Sequence, residues 1–248
     1  MKSPLIPIDI ISIYKNKLGD LLPLPARMAQ CTPDTHIAIF KTAEALAKKG
    51  GKLILSDLFR SHDMQAQSHQ DFISGKKKAF SPPPGGSFHE SGRAFDLDLK
   101  AMKIELADFW AIAGKFGLVP IIDKPQKTKS EAWHFDCRGS HQLVYQYYLE
   151  KKGTNFKPYT AASASSILAI GVQVDTFGQN QQAAALQSCL IRLGKVIGNI
   201  DGQIGMRTQT ALQELDVNFD LQNIGGMLVE VENLVQQKFP AEFVLPPA

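Results

Sequence analysis

The chain has 248 residues, 44% hydrophobic and 21% charged, which excludes a disordered or low-complexity protein and leaves room for two domains. Its net charge of +3 hides an asymmetry: residues 1–158 hold 23 Lys and Arg against 16 Asp and Glu, residues 159–248 hold 4 against 8. That split favours two domains with different surfaces, the first suited to an anionic partner such as nucleic acid, a cell-wall polymer or a membrane surface.

In chain order, "MKSPLIPIDIISIYKNKLGD" is interrupted by Pro4, Pro7 and Asp9 and is followed by no small-residue cleavage site, so it does not read as a signal peptide. No stretch approaches the roughly 18 apolar residues of a membrane-spanning helix. Thr35 to Lys49 carries apolar residues at helical spacing and stops on Gly50-Gly51. "KLILSDLF" reads as a strand ending at Arg60, residues 63–74 as a helix, and "GKKKAFSPPPGG" as a loop stiffened by three prolines. "RAFDLDLK" alternates, with Phe95, Leu97 and Leu99 on one face and Asp96 and Asp98 on the other. "ELADFWAIAGKFG" predicts a helix, "LVPIID" and "EAWHFD" strands, and "SHQLVYQYYLEKKG" a closing helix. Helices and short strands without a βαβ rhythm predict an α+β domain with a small antiparallel sheet flanked by helices. A Gly-, Ala- and Ser-rich stretch then marks a linker region, set at 159–178, between a first domain at 1–158 and a helical one at 179–248. The last region predicts three helices, with Asp201-Gly202 as a turn signal.

Cys31, Cys137 and Cys189 are odd in number and form no CxxC pair, so buried free thiols are expected rather than a disulfide framework or a thiolate metal site. The chemistry lies elsewhere. His89 precedes the 93–100 strand across the small Ser91-Gly92 turn, Asp96 occupies the polar face of that strand, and "EAWHFD" presents Glu131 and His134, with Trp133 and Phe135 packing on the opposite side. Two imidazoles and one carboxylate make a three-ligand zinc set with a fourth position open to water, and Glu131 supplies a base for that water. Singly, each residue has a plainer reading: a histidine before a strand is usually structural, and Asp96 could cap a turn or pair with Arg93. Asp98 reads as an exposed charge, with a role in orienting a ligand as the alternative. Lys76–Lys78 read as a solvated loop, with steering of an anionic substrate as the alternative; His36, His62, His69 and His141 read as structural, with His62 and His69 as outside candidates because they flank the Arg60 segment.

In combination, "SFHESGRAFDLD" and "EAWHFD" resemble the S-x-H-x-x-G-x-A-x-D and E-x-W-H signatures of the LAS zinc metallopeptidases, through Ser87, His89, Gly92, Ala94, Asp96 and Glu131, Trp133, His134. Arg60, Ser61 and Gln65 of "LFRSHDMQ" match that family's R-S-x-x-x-Q segment, and the resemblance covers residues 35–150. The family includes VanX- and VanY-type D-Ala-D-Ala peptidases and the L-alanyl-D-glutamate endopeptidases of phage lysins. The resemblance implies a LAS/Hedgehog-like fold and one zinc ion on His89, Asp96 and His134. It makes Glu131 the general base, gives Arg60 an oxyanion or a substrate carboxylate to hold, and places Ser87 and Gln65 against substrate.

The C-terminal region is similar to the small three-helix peptidoglycan-binding domain. Leu186, Gln187, Leu190, Leu193 and Gly194 match its first helix, and Asp201, Gly202, Gly205, Thr208, Ala211 and Leu212 the rest, with Ile204 where an aromatic is usual. Both resemblances imply a peptidase of peptidoglycan stem peptides, a carboxypeptidase of the D-alanyl-D-alanine type before an L-Ala-D-Glu or cross-link endopeptidase. A non-catalytic wall-binding module is the reading from another class. A monomer acting in the periplasm or cell wall is expected, with no nucleic-acid partner and no insertion into membrane.

Overall fold

Ala94 and Asp96 alternate with Phe95 and Leu97, and the strand they form decides where everything else goes. The computed structural model describes residues 1–245, so the last three residues of the expected 179–248 domain lie outside it. In chain order come β1 (Ile6–Pro7), β2 (Ile11–Lys15), β3 (Leu21–Pro23), β4 (Gln30–Cys31), α1 (Pro33–Ala47), β5 (Leu55–Asp57) and α2 (His62–Ile73). They are followed by β6 (Ala94–Leu97), α3 (Leu106–Gly114), β7 (Leu118–Pro120), β8 (His134–Cys137) and α4 (His141–Leu149). Four more helices close the chain: α5 (Pro158–Ala169), α6 (Gln181–Arg192), α7 (Met206–Gln213) and α8 (Ile224–Lys238). The described residues thus hold eight α-helices, a six-stranded sheet ordered β3-β2-β5-β6-β8-β7 and the two-stranded β1-β4 pair.

Every pairing in the large sheet is antiparallel except β2 with β5. The strands before residue 32 were not anticipated; at two to five residues each, they are too short to show a period. Between β6 and β8 the register pairs Phe95 with Phe135 and Asp96 with His134. Phe95 and Phe135 stack at 6.0 Å, Phe109 of α3 meets Phe135 edge-on at 5.0 Å, and α1 and α3 bury this face. Side chains alternate across a strand, so Ala94, Asp96, His134 and Asp136 share the opposite face.

Two large cores follow the chain, and a small third cluster of Phe88, Ala94 and Ala162 lies between β6 and α5. Of the two large cores, one runs from Ile8 to Cys137 and the other from Val144 to Phe243, so α4 joins the helical half although it precedes residue 158. The expected linker at 159–178 contains α5, whose residues 161–169 are all buried. Its run of alanines and serines looks like linker composition, yet these small side chains let the helix approach its neighbours closely: Ser166 Oγ lies 2.8 Å from Ser91 Oγ, and Ser165 Oγ 2.5 Å from Ser188 Oγ. The three expected helices are present as α6, α7 and α8. Gln187 clamps the Asp201-Gly202 turn, its Oε1 accepting from both backbone amides at 3.0 and 2.8 Å. No helix among the described residues is long and apolar enough to cross a membrane.

Candidate metal centre

His89 sits in a short 3-10 helix, Phe88–Ser91, that ends where the chain turns into β6. Ser87 caps it, its Oγ accepting from His89 N at 3.3 Å, while the Glu90 carboxylate accepts from the Ser87 and Gly85 amides. Gly92 then adopts φ +65°, and a Cβ there would stand 2.8 Å from Cys31 Cα. The glycine is therefore required twice, by conformation and by the close approach of β4. Ala94 must be small because Ala162 of α5 and Phe88 pack against it. The spacing of the motif is thus a packing requirement that delivers His89 to the polar face of β6.

His89 Nδ1 lies 2.6 Å from the Leu58 carbonyl, so its N–H is assigned there and the Nε2 lone pair is left free. That Nε2 is buried without a hydrogen-bond partner. Across the sheet, His134 Nε2 lies 2.9 Å from Asp136 Oδ1, and its Nδ1 2.9 Å from Asp96 Oδ1, the oxygen that stands 3.5 Å from His89 Nε2. Because Nε2–H is donated to Asp136, Nδ1 and Asp96 Oδ1 need a cation between them, a proton or a metal ion. Burial opposes charge on His134, but the hydrogen bonds to Asp136 and Asp96 outweigh it and raise its pKa to about 10. Burial likewise opposes charge on Asp96, and the two imidazoles more than offset it, holding the carboxyl well below its ordinary range. Ligand atoms of His89, Asp96 and His134 lie within 4.8 Å of one another. One free imidazole nitrogen, a second backed by a carboxylate and one carboxylate oxygen fit a zinc ion.

Asp136 went unnoticed in the sequence, where it reads as the end of a strand. It is fully buried, and besides His134 it accepts from Arg138 Nε at 3.1 Å and the Tyr159 hydroxyl at 3.3 Å. The signal was available in principle, since residues two apart on a strand share a face. Asp98 does not play this part: the strand ends at Leu97, and Asp98 Oδ1 turns back to accept from the Lys100 amide at 2.9 Å.

Glu131 lies outside the strand expected for "EAWHFD", which begins only at His134. At φ +66° it occupies a left-handed conformation uncommon outside glycine, and its Oε1 is buried without a partner. Burial raises its carboxyl above the ordinary value. Trp133, expected on the far face with Phe135, instead lines the same cleft as Glu131. That cleft is a cavity of about 720 Å³ which also takes in Arg60, Lys77, Ser87, His89, Asp96 and His134. Arg60 is held there by Asp57 Oδ2 at 2.6 Å and lies 3.6 Å from Asp96 Oδ2.

Gln65 departs from its expected place against substrate. It is wholly buried, its Oε1 accepting from Arg60 Nη1 at 3.1 Å and its Nε2 donating to Ser81 Oγ and the Pro82 carbonyl. It positions Arg60 and the proline loop. Ser87 does line the cleft, with its hydroxyl engaged as a cap. Of the three loop lysines, Lys77 is half-buried in the cleft wall with Nζ 2.9 Å from Ser68 Oγ. His69 contacts the Ser81 carbonyl, His62 reaches Asp175 across the two halves, His36 packs on Phe40, and His141 is buried against Ser165. The three cysteines are free and buried.

No family model matches this chain, and no curated protein matches it. Among solved structures it is similar to the LdcB LD-carboxypeptidase, whose structure is described as revealing the molecular basis of peptidoglycan recognition. The identity is 20% over 54% of this chain and 68% of that one, at a TM-score of 0.41. It is also similar to the L,D-carboxypeptidase DacB from Streptococcus pneumonia, with 21% identity over 54% of this chain and 85% of that one, at a TM-score of 0.34. Likeness at this level leaves the reading of the site to its own geometry.

Proposed function

We propose that this protein is a zinc-dependent peptidoglycan peptidase, a carboxypeptidase of the D-alanyl-D-alanine type acting on wall stem peptides. The observation that supports it most is the convergence of His89 Nε2, Asp96 Oδ1 and His134 Nδ1 in one cleft with the half-buried Glu131 carboxylate. His89, Asp96 and His134 would hold the zinc ion, which when bound would supply Lewis-acid polarisation of the scissile carbonyl and a water of pKa lowered towards ~7. Glu131 takes a proton from the attacking water and returns it to the departing amine, a task suited to a carboxylate whose pKa burial has raised. Arg60 is permanently charged and suits the terminal carboxylate of the peptide or the developing oxyanion. Trp133, Phe80 and Phe156 offer apolar wall to short aliphatic side chains.

In this reading residues 1–158 carry the catalysis, residues 179–248 engage the wall, and the protein works as a monomer in the periplasm or cell wall with one zinc ion. Digestion of purified muropeptides followed by mass spectrometry tests it, with Glu131→Gln alongside. Loss of one terminal alanine from pentapeptides is expected, slowed by about 10²–10⁴-fold in the variant while zinc content stays at one ion. Internal cleavage would make the enzyme an endopeptidase. Zinc uptake without any product would make it a wall-binding module.

A further inference from the structure

Helix α5 belongs to the helical half, yet its first turn reaches the metal centre. Pro158 opens the helix, and Tyr159 follows with its ring set edge-on against Phe88 at 5.4 Å, beside His89 in the chain. Its hydroxyl donates at 3.3 Å to Asp136 Oδ1, the same oxygen that accepts from His134 Nε2 at 2.9 Å. The other Asp136 oxygen accepts from Arg138 Nε at 3.1 Å, and the Arg138 guanidinium lies 5.7 Å from the Tyr159 ring centre. A fully buried carboxylate can stay charged in one orientation only if donors surround it. Tyr159 supplies one of three, and it is the only one contributed by the helical half among those bonds.

We propose that Tyr159 is a positioning residue for the metal centre, acting through Asp136 to hold His134 with Nε2–H outward and the Nδ1 lone pair toward Asp96. The helical half is then part of the catalytic apparatus and not merely a tether. The inference rests on the zinc reading of the His89, Asp96 and His134 cluster. Partners that orient a ligating histidine are typically worth 10–100-fold in metal affinity. The Tyr159 hydroxyl, one bond further out, is expected to contribute about tenfold or somewhat less.

The test is competitive zinc titration of the metal-stripped full chain against a chromophoric chelator, for wild type, Tyr159→Phe, Asp136→Asn and the double variant. Tyr147→Phe serves as control, because that hydroxyl binds the Gly198 carbonyl within the helical half. Tyr159→Phe keeps the ring contacts and is expected to weaken zinc by about tenfold in the wild-type background and by no further factor beside Asp136→Asn. Cobalt-substituted Tyr159→Phe is expected to show a shifted visible spectrum, and Tyr147→Phe the wild-type one. Unchanged affinity and spectrum in Tyr159→Phe overturn the proposal alone, as does an effect of equal size in both backgrounds, which would mean that Tyr159 acts without Asp136. Failure of the wild type to take up zinc overturns the metal-centre reading, and this proposal with it.

Discussion

At the scale of residues, the groups that matter are those in which one hydrogen bond fixes where a second polar atom points. His89 and His134 are both buried histidines, but each has one ring nitrogen committed, to the Leu58 carbonyl and to Asp136, and that commitment aims the other at Asp96. Gln65 shows the opposite case. All of its polar atoms are used inside the protein, on Arg60, Ser81 and Pro82, so none is left for a substrate. Gln65→Leu is therefore expected to cost about 1–3 kcal/mol of stability by stranding those partners, measured by urea denaturation. Activity should fall through kcat, as Arg60 loses its support, with little change in zinc content. A residue that bound substrate directly would instead show its main effect in KM with stability unchanged.

Among the elements, the β6–β8 pairing and the 3-10 helix before it build the site. The sequence alternation in "RAFDLDLK" correctly placed Asp96 opposite Phe95 and Leu97, and the antiparallel register then brings His134 directly across from Asp96. Cross-strand neighbours have Cβ atoms about 4.5–5.5 Å apart, close enough for two ligands of one ion. Gly92 is the hinge on which this depends. Gly92→Ala combines a left-handed backbone with a Cβ pressed to 2.8 Å from the Cys31 backbone, so a loss of about 1–3 kcal/mol is expected in thermal melts. Gly114 has open space around its Cβ position and lies in α3, so Gly114→Ala in the same assay should be neutral or slightly stabilising. Element edges were the least legible part. The letters of Asp98 and Glu131 read as strand, but Asp98 lies just past the end of β6 and Glu131 in a turn three residues before β8, because the pattern in the letters runs beyond the ladder at either end.

For the whole molecule, the two halves are joined by buried charge. Glu242, in a short 3-10 helix at the end of the described chain, pairs with Arg192 at 2.6 Å and with Arg93 at 3.3 Å, and accepts from the Ser140 amide at 2.6 Å. Arg93 follows Gly92 and leads into β6, so the C-terminal segment is anchored one step from the His89, Asp96 and His134 cluster; Arg93 also donates to Asp34 of α1 at 2.8 Å and to the Cys137 carbonyl at 3.1 Å. Removing one member leaves buried guanidinium charge uncompensated, and Glu242→Gln is expected to cost about 3–5 kcal/mol. Burial alone would raise the Glu242 carboxyl, but Arg93 and Arg192 more than reverse this and hold it below its ordinary value of 4.5. A carboxyl lowered in the folded state stabilises fully above its unfolded pKa and loses that contribution as pH falls through the folded value. The wild-type melting temperature should therefore drop below pH 4.5 more steeply than that of Glu242→Gln. Parallel curves would remove Glu242 from the acid response.

What the sequence determined by itself was local. Helical periods located every α-helix but α5 within a few residues, alternation gave Asp96 its face, and the spacing of His89, Asp96 and His134 marked a cluster that could hold a metal ion. Such features depend on neighbours a few positions away, so they survive in a string of letters. The tertiary structure decided the rest: Asp136 as the partner of His134, Tyr159 as the partner of Asp136, the buried packing of α5 in place of a linker, and the Arg93–Glu242–Arg192 cluster. Each of these has an ordinary residue at an ordinary position, and its role comes from burial and from a partner far along the chain. Charge and hydrogen bonding in a low-dielectric interior are set by which atoms are brought together, and only folding does that.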